Sequence, residues 1–292
     1  PTFAQLGVAI EITDALDSFG IQHTFAIQEL TLPLALDGID LIGQARTGQG
    51  KTLGFGVPLL DRIFDSADIA ELDGTPRALV VTPTRELAIQ VADDLHRAAK
   101  NLPVRILTIY GGRPYEEQIN ALDKGIDVVV GTPGRLLDLY QRGSLTLDQV
   151  AILVLDEADE MLDMGFIEDI EAIFGKANPD SRILLFSATM PPPTAMPPES
   201  QAGMAERAEV TASEGTKQRA AAGMAIRRPC MAMAATCQRS MPAMSSRSAQ
   251  ASMACTMAVA IVRQTMVRKR PATDRGMASA MEVLTAVWGS PP

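Results

Sequence analysis

Eight consecutive residues, Ala45, Arg46, Thr47, Gly48, Gln49, Gly50, Lys51 and Thr52, have the types and order needed to hold the phosphates of a ligand. They fit a pattern of one small residue, four spacers and Gly-Lys-Thr, with Ala45 standing where the usual pattern has its first glycine. Gly48 and Gly50 let the backbone curl so that consecutive N–H groups point at phosphate oxygens, an approach that side chains would obstruct. Lys51 would reach the terminal phosphates and Thr52 would offer its hydroxyl to magnesium. A glycine-rich turn that binds nothing is the alternative reading. The flanks argue against it, because an apolar run over 39–42 precedes the loop and a helical pattern over 53–64 follows. That order sets the phosphates at a helix N-terminus, where free amides and the helix dipole favour anions.

A second pair of residues completes a site for phosphate chemistry. Four apolar residues end in Asp156 and Glu157. A carboxylate at the tip of a buried strand can hold magnesium directly or through water, so Asp156 and Thr52 are the candidate metal ligands. Glu157 is placed to orient or deprotonate an attacking water, which makes Lys51, Asp156 and Glu157 the candidate catalytic residues. An acidic start to the next helix would also explain the pair physically. It would not explain why an acidic pair ends a strand in a chain that also carries Gly-Lys-Thr.

The elements that must position these residues alternate. Helical periodicity covers 4–19 and 27–36. Short apolar runs at 78–81, 105–110, 126–130, 151–155 and 183–186 read as buried strands, separated by helix-sized stretches such as 85–100, 115–124 and 166–176. Strict alternation implies an α/β fold, a parallel sheet with helices on both faces, whose ligands bind at the carboxyl ends of the strands. Five strand ends carry polar or glycine-rich groups. They are Pro83, Thr84 and Arg85; Gly111 and Gly112; Thr132, Pro133, Gly134 and Arg135; Asp156 to Asp159; and Ser187, Ala188 and Thr189.

The phosphate loop, P-T-R-E-L-A, G-G, T-P-G-R, D-E-A-D and S-A-T, in that order, resemble the first RecA-like domain of the DEAD-box ATP-dependent RNA helicases, over residues 1 to about 192. The resemblance implies a RecA-like P-loop NTPase domain that uses ATP and Mg2+. It implies that Gln28 reads the adenine edge and that Phe3 stacks on the ring. Here the family's P-T-P-I-Q is T-F-A-I-Q, with Phe25 replacing a threonine, so one polar support is expected to be missing. It further implies that Pro83, Thr84, Arg85, Gly111, Gly112, Thr132, Pro133, Gly134 and Arg135 line a path for single-stranded RNA, read by backbone rather than base. Taken alone, Arg85 would be a solvated first-turn residue. Asp159, Ser187, Ala188 and Thr189 would couple hydrolysis to strand separation.

Composition divides the chain. Residues 1–189 carry 14 Lys/Arg and 29 Asp/Glu, a balance of −15, whereas residues 190–292 carry 12 and 6, a balance of +6. Thirteen of the 15 methionines lie from Met190 onward, where Leu284 is the one leucine and Trp288 the one aromatic residue. Residues 193–292 thus read as a Met/Ala/Arg/Ser low-complexity tail, either a disordered basic extension able to touch RNA phosphates or an out-of-frame continuation, and the abrupt end of the family pattern favours the latter. An H-R-x-G-R-x-G-R element, expected of a second RecA-like domain, is absent, since His23 and His96 are the only histidines. The expectation is a helicase truncated before that domain and slow in ATP hydrolysis, or alternatively a non-catalytic, ATP-dependent RNA- or protein-binding remnant. No run of about 18 apolar residues suggests a membrane span, and the acidic N-terminus is unlike a secretory signal. Cys230, Cys237 and Cys255 give neither a disulfide framework nor a zinc site, which fits a cytoplasmic protein, expected as a monomer.

Overall fold

The computed structural model describes residues 1–189. The expectations for a tail over 193–292 lie outside the described residues. Six strands, β1 (Leu41–Gln44), β2 (Ala78–Val81), β3 (Ile106–Ile109), β4 (Val128–Gly131), β5 (Ile152–Leu155) and β6 (Arg182–Ser187), form one sheet in the order β1-β6-β5-β2-β4-β3, with every pairing parallel. The helices are α1 (Ile10–Asp17), α2 (Ala26–Leu36), α3 (Lys51–Asp65), α4 (Arg85–Ala98), α5 (Tyr115–Asp123), α6 (Pro133–Gln141), α7 (Ala158–Asp163) and α8 (Ile167–Lys176). No helix among the described residues is long and apolar enough to cross a membrane.

The central strands are Val/Leu-rich and buried from end to end because helices cover both faces. Side chains alternate between faces, so Val80, Val130, Val154 and Phe186 enter one core with residues of α1 to α4. The intervening Leu79, Val129, Leu153 and Leu185 are equally buried and belong to the opposite face, where α6 packs against α8. In register, Val80 stands between Val130 and Val154. Edge strand β3 is only half covered over Ile106, Leu107 and Thr108.

Three expectations are corrected. The helix read over 4–19 is broken: a 3-10 turn, Ala4–Leu6, is stopped by Gly7 at φ 88°, and α1 starts at Ile10. Of the apolar run over 39–42, only the part from Leu41 is strand. Ile39 N–H still bonds Leu34 at the end of α2, and the buried Asp40 carboxylate accepts the Ile183 N–H at 2.8 Å in place of a ladder bond. The T-P-G-R segment opens a nine-residue helix, α6, that periodicity did not mark. Its signal was Pro133 at the first helical position, where the missing N–H costs nothing.

Candidate functional site

The loop between β1 and α3 is held by bonds to two other elements and by one of its own. Ala45 N–H bonds Ser187 on β6 at 3.1 Å, Arg46 N–H bonds Gln49 Oε1 at 2.9 Å, and Gln28 Nε2 on α2 donates to the Gly50 carbonyl at 2.8 Å. Gly48 and Gly50 adopt φ 82° and 81°, a left-handed conformation that side chains disfavour. Space separates their roles. A Cβ on Gly50 would fall 2.5 Å from Gln28 Nε2 and 2.6 Å from the Phe25 ring, whereas one on Gly48 would meet nothing within 4 Å. Gly50 therefore packs the loop against α2, and Gly48 faces open space.

Lys51 and Thr52 open α3 directly behind the loop. The Lys51 side chain is 6% exposed, and its Nζ lies 2.8 Å from Glu157 Oε1. The contact is a close ion pair, and no other acceptor satisfies hydrogen-bond geometry around the buried ammonium. Its remaining donors are thus available to an oxyanion beside the loop. Thr47 Oγ1 reaches the same Glu157 oxygen at 3.4 Å.

Glu157 is the one non-glycine residue among those described with positive φ, 51°. A left-handed residue with a side chain costs roughly 1–2 kcal/mol, a strain typical of functional turns. Here the turn lets the Glu157 N–H bond its neighbour Asp156 Oδ1 at 3.0 Å while its carboxylate faces Lys51. Asp156 is 2% exposed. Burial pushes its carboxyl up to about 7, opposed by the positive Lys51 and reinforced by the negative Glu157. Among the described residues no group of three or more His, Cys, Asp or Glu side chains surrounds a metal position. One carboxylate and the Thr52 hydroxyl suit a magnesium ion that takes its remaining ligands from phosphates and water.

The adenine-reading expectations fare unevenly. Gln28 is buried, and both ends of its amide are engaged, Oε1 accepting the Phe25 N–H at 2.9 Å and Nε2 bonding Gly50. It acts on the loop, a role the sequence did not disclose. Phe3 is 2% exposed within the α1–α4 core, so the ring surface that stacking needs is covered. The exposed aromatic against the loop is instead Phe25, at 59%. Phe25 sits at the N-cap of α2, donates its N–H to Gln28 Oε1 and has no side-chain oxygen with which to accept a capping bond.

At the other end of the sheet edge, Thr84 caps α4 by accepting the Leu87 N–H at 3.2 Å, Pro83 is buried, and Arg85 is exposed. The Arg85 guanidinium lies 5.3 Å from the Tyr110 ring centre and that of Arg113 lies 5.4 Å from it. Arg135 and Arg142 lie 4.0 and 4.2 Å from the Tyr115 ring centre. Gly111, Gly112 and Gly134 are open where a Cβ would stand, and Thr132 and Pro133 begin α6. Sequence reasoning missed Tyr110, Arg113, Tyr115 and Arg142. The clue was aromatic and basic residues interleaved immediately after a strand.

Thr189 donates to Asp159 Oδ2 through both its N–H, 2.9 Å, and its hydroxyl, 2.7 Å. Ser187 Oγ bonds the Thr189 carbonyl at 2.8 Å, and Gln44 Nε2 bonds the Ala188 carbonyl at 3.4 Å. Burial works to raise the Asp159 carboxyl, but hydrogen bonds from Thr189 and Ser187 hold it below the usual carboxylate range. The end of β6 is thereby tied to α7, which carries Asp159 two residues after Glu157.

The DEAD/DEAH box helicase family model matches residues 25–196. The chain is 47% identical over 215 residues to the DEAD-box ATP-dependent RNA helicase CshA of Geobacillus kaustophilus, covering 74% of this chain and 45% of that protein. It is 49% identical over 192 residues to the protein of the same name from Bacillus anthracis, covering 66% of this chain and 35% of that one. A solved DEAD box protein from the hyperthermophile Methanococcus jannaschii superposes with a TM-score of 0.60 at 42% identity, over 70% of this chain and 53% of that one. The chain spans between about a third and a half of the length of these proteins.

Proposed function

The chain belongs to the DEAD/DEAH box helicase family, and from that premise we propose that its residues 1–189 bind and hydrolyse ATP in the loop 45–52 and hold the backbone of single-stranded RNA along the β2–β4–β3 end of the same edge. The observation that carries this reading is the buried Lys51 ammonium, 2.8 Å from Glu157 and short of directed acceptors, at the N-terminus of α3 behind an open glycine loop. With ATP present, Lys51 turns its donors to the β- and γ-phosphates and the loop N–H groups take the remaining oxygens. Asp156 and Thr52 would hold a magnesium ion, which would supply positive charge against that developing on the phosphates. Released from Lys51, the Glu157 carboxylate accepts a hydrogen bond from the attacking water and orients it. Thr189 and Ser187, bonded around Asp159, carry the state of that acidic turn to the end of β6.

RNA is held through phosphates by Arg85 and Arg135 and through the open backbone at Gly111, Gly112 and Gly134, so binding is insensitive to base sequence. The setting is the cytoplasm, where ATP and RNA are both present. The relatives named RNA helicases are two to three times as long as the matched span, and duplex opening is not part of what is proposed for residues 1–189. An arginine finger is worth roughly 10³ to 10⁵ in rate, so hydrolysis by residues 1–189 on their own is slow. A fluorescent ATP analogue tests the reading: with Mg2+ it binds the chain, and Lys51→Ala weakens binding roughly 10- to 100-fold, the worth of a charged hydrogen bond or two. Equal affinity for both proteins would overturn it.

A second reading, a nucleotide-dependent RNA clamp without turnover, is favoured by one feature. The link between Asp159 and Thr189 is complete within the described residues. RNA affinity that rises with ATP while single-turnover hydrolysis stays at background would select this second reading.

A further inference from the structure

The two tyrosine rings at the β3 end do something that no motif in the chain accounts for. Tyr110 ends β3's exit and is buried, with the guanidinium groups of Arg85, from the start of α4, and Arg113, from the loop before α5, at 5.3 and 5.4 Å. Tyr115, five residues on, has Arg135 and Arg142 at 4.0 and 4.2 Å. Arg135 Nη1 donates to the Arg113 carbonyl at 3.0 Å, which joins the two clusters into one.

Their charges are not equivalent. Asp138 accepts from the Tyr115 hydroxyl and from Arg142 Nε, the latter at 2.9 Å, so Arg142 is neutralised and braces the ring. Among the described residues no carboxylate lies within 4.0 Å of Arg85, Arg113 or Arg135. Three guanidinium groups without a close ion pair, of which Arg135 senses Asp138 at longer range, therefore lie at one edge of a region whose net charge is −15. The negative faces of the rings hold these long side chains near one another despite their mutual repulsion. A polyanion is the ligand such a cluster is built to meet, and the open positions at Gly111, Gly112 and Gly134 let phosphates reach the main chain beside it.

We propose that Arg113 is a third phosphate-binding arm for single-stranded RNA, alongside Arg85 and Arg135, and that Tyr110 is a positioning residue that holds Arg85 and Arg113 at the spacing the RNA backbone requires. The proposal rests on the RNA-binding reading above and adds two residues to it. Tyr110 does not touch the ligand. It acts by restricting two flexible arginines, so that less of their freedom is lost on binding.

The test is a fluorescence-anisotropy titration of a labelled oligouridine with the full chain in the presence of an ATP analogue, repeated at several salt concentrations, with circular dichroism reporting the fold of each variant. Arg113→Ala is expected to weaken binding about 3- to 10-fold and to shallow the salt dependence by about 0.7 in log–log slope, the signature of one lost phosphate contact. Tyr110→Leu weakens binding several-fold, and Tyr110→Phe, which keeps the ring face, restores it. A purely structural Tyr110 would not distinguish ring from no ring in RNA affinity when the folds are alike. Wild-type affinity and slope in Arg113→Ala, with the parent binding RNA, overturn this proposal alone. Equal loss in both Tyr110 variants overturns the role of its ring. A parent chain that binds no RNA overturns both this proposal and the reading on which it rests.

Discussion

The two ends of the sheet's carboxyl edge handle charge in opposite ways. Around β1, β6 and β5 the charged groups are buried: Lys51 and Asp156 are nearly inaccessible, and Glu157 is held in a strained turn against them. Around β2, β4 and β3 they lie at the surface, where arginines rest on tyrosine rings. Burial lowers the local dielectric, so each charge at the first end acts strongly and its loss is not made good by water or a neighbour. Exposed arginines each contribute little, share their task and are screened by salt. One end is thus suited to a reaction that needs a few groups in fixed places, the other to a long polyanion that can be gripped at many.

The sharpest way to break this contrast is to alter charge at the buried end without altering shape. Glu157→Gln keeps the size of the side chain but removes the base. Single-turnover hydrolysis with protein in excess is expected to fall by about 10²- to 10⁴-fold, the usual worth of a positioned acid or base. Nucleotide affinity should be kept or improved, because Lys51 no longer has an ion pair to give up. A rate equal to the parent's would remove Glu157 from the chemistry.

Backbone comes next in expected size. Gly50→Ala places a methyl group 2.5 Å from Gln28 Nε2 on a residue with φ 81°. Both the strain and the clash act, so a loss of about 1–3 kcal/mol is expected in a urea melt, together with weaker nucleotide binding. Gly48→Ala meets no neighbour and should cost only the conformational part. Equal losses at the two glycines would show that contact with α2 does not shape the loop.

How much of this was legible in the sequence depends on the range of the interaction. The phosphate loop, the strand ends and the parallel sheet were readable because glycine positions, apolar runs and alternation are local signals. The attachment of Gln28 to Gly50 was not, since it joins residues 22 apart in sequence. The burial of Phe3 was missed because an aromatic residue near a motif gives no sign of which face it will turn. Tyr110, Tyr115, Arg113 and Arg142 were passed over for another reason. Each is unremarkable in its own segment, and only the adjacency of β2, β4 and β3 brings three segments together.

At the exposed end a smaller effect is expected. Arg85→Ala should reduce oligouridine affinity by roughly 2- to 5-fold and shallow the salt slope, in keeping with one screened phosphate contact among several. Nucleotide affinity should not follow, as Arg85 shares no hydrogen bond or ion pair with the phosphate loop. A loss approaching that of Lys51→Ala would mean that the arginines act as one desolvated unit, and the contrast between the two ends would fail.

The finest comparison uses one residue type at both ends. Burial pushes Asp156 up to about 7, whereas the Tyr115 hydroxyl first, and Arg142 second, hold Asp138 below the usual carboxylate range. Their effects on stability have opposite signs. Folded Asp156 keeps a proton that the unfolded chain, titrating at the ordinary value of 3.8, releases, so its contribution weakens as pH rises from about 4 to about 7. Folded Asp138 stays ionised where the unfolded chain takes up a proton, so its contribution is present above the unfolded value of 3.8 and is lost as pH falls through its lowered folded value. Carbon-13 spectra of the aspartate carboxyls in the nucleotide-free chain, assigned with Asp156→Asn and Asp138→Asn, would place the two titrations directly. Midpoints on either side of 3.8 bear out a buried and an exposed end. If both fall together near the ordinary value, water reaches Asp156 as freely as Asp138, and the force assigned to Lys51 and Glu157 must come from the ligand rather than from burial.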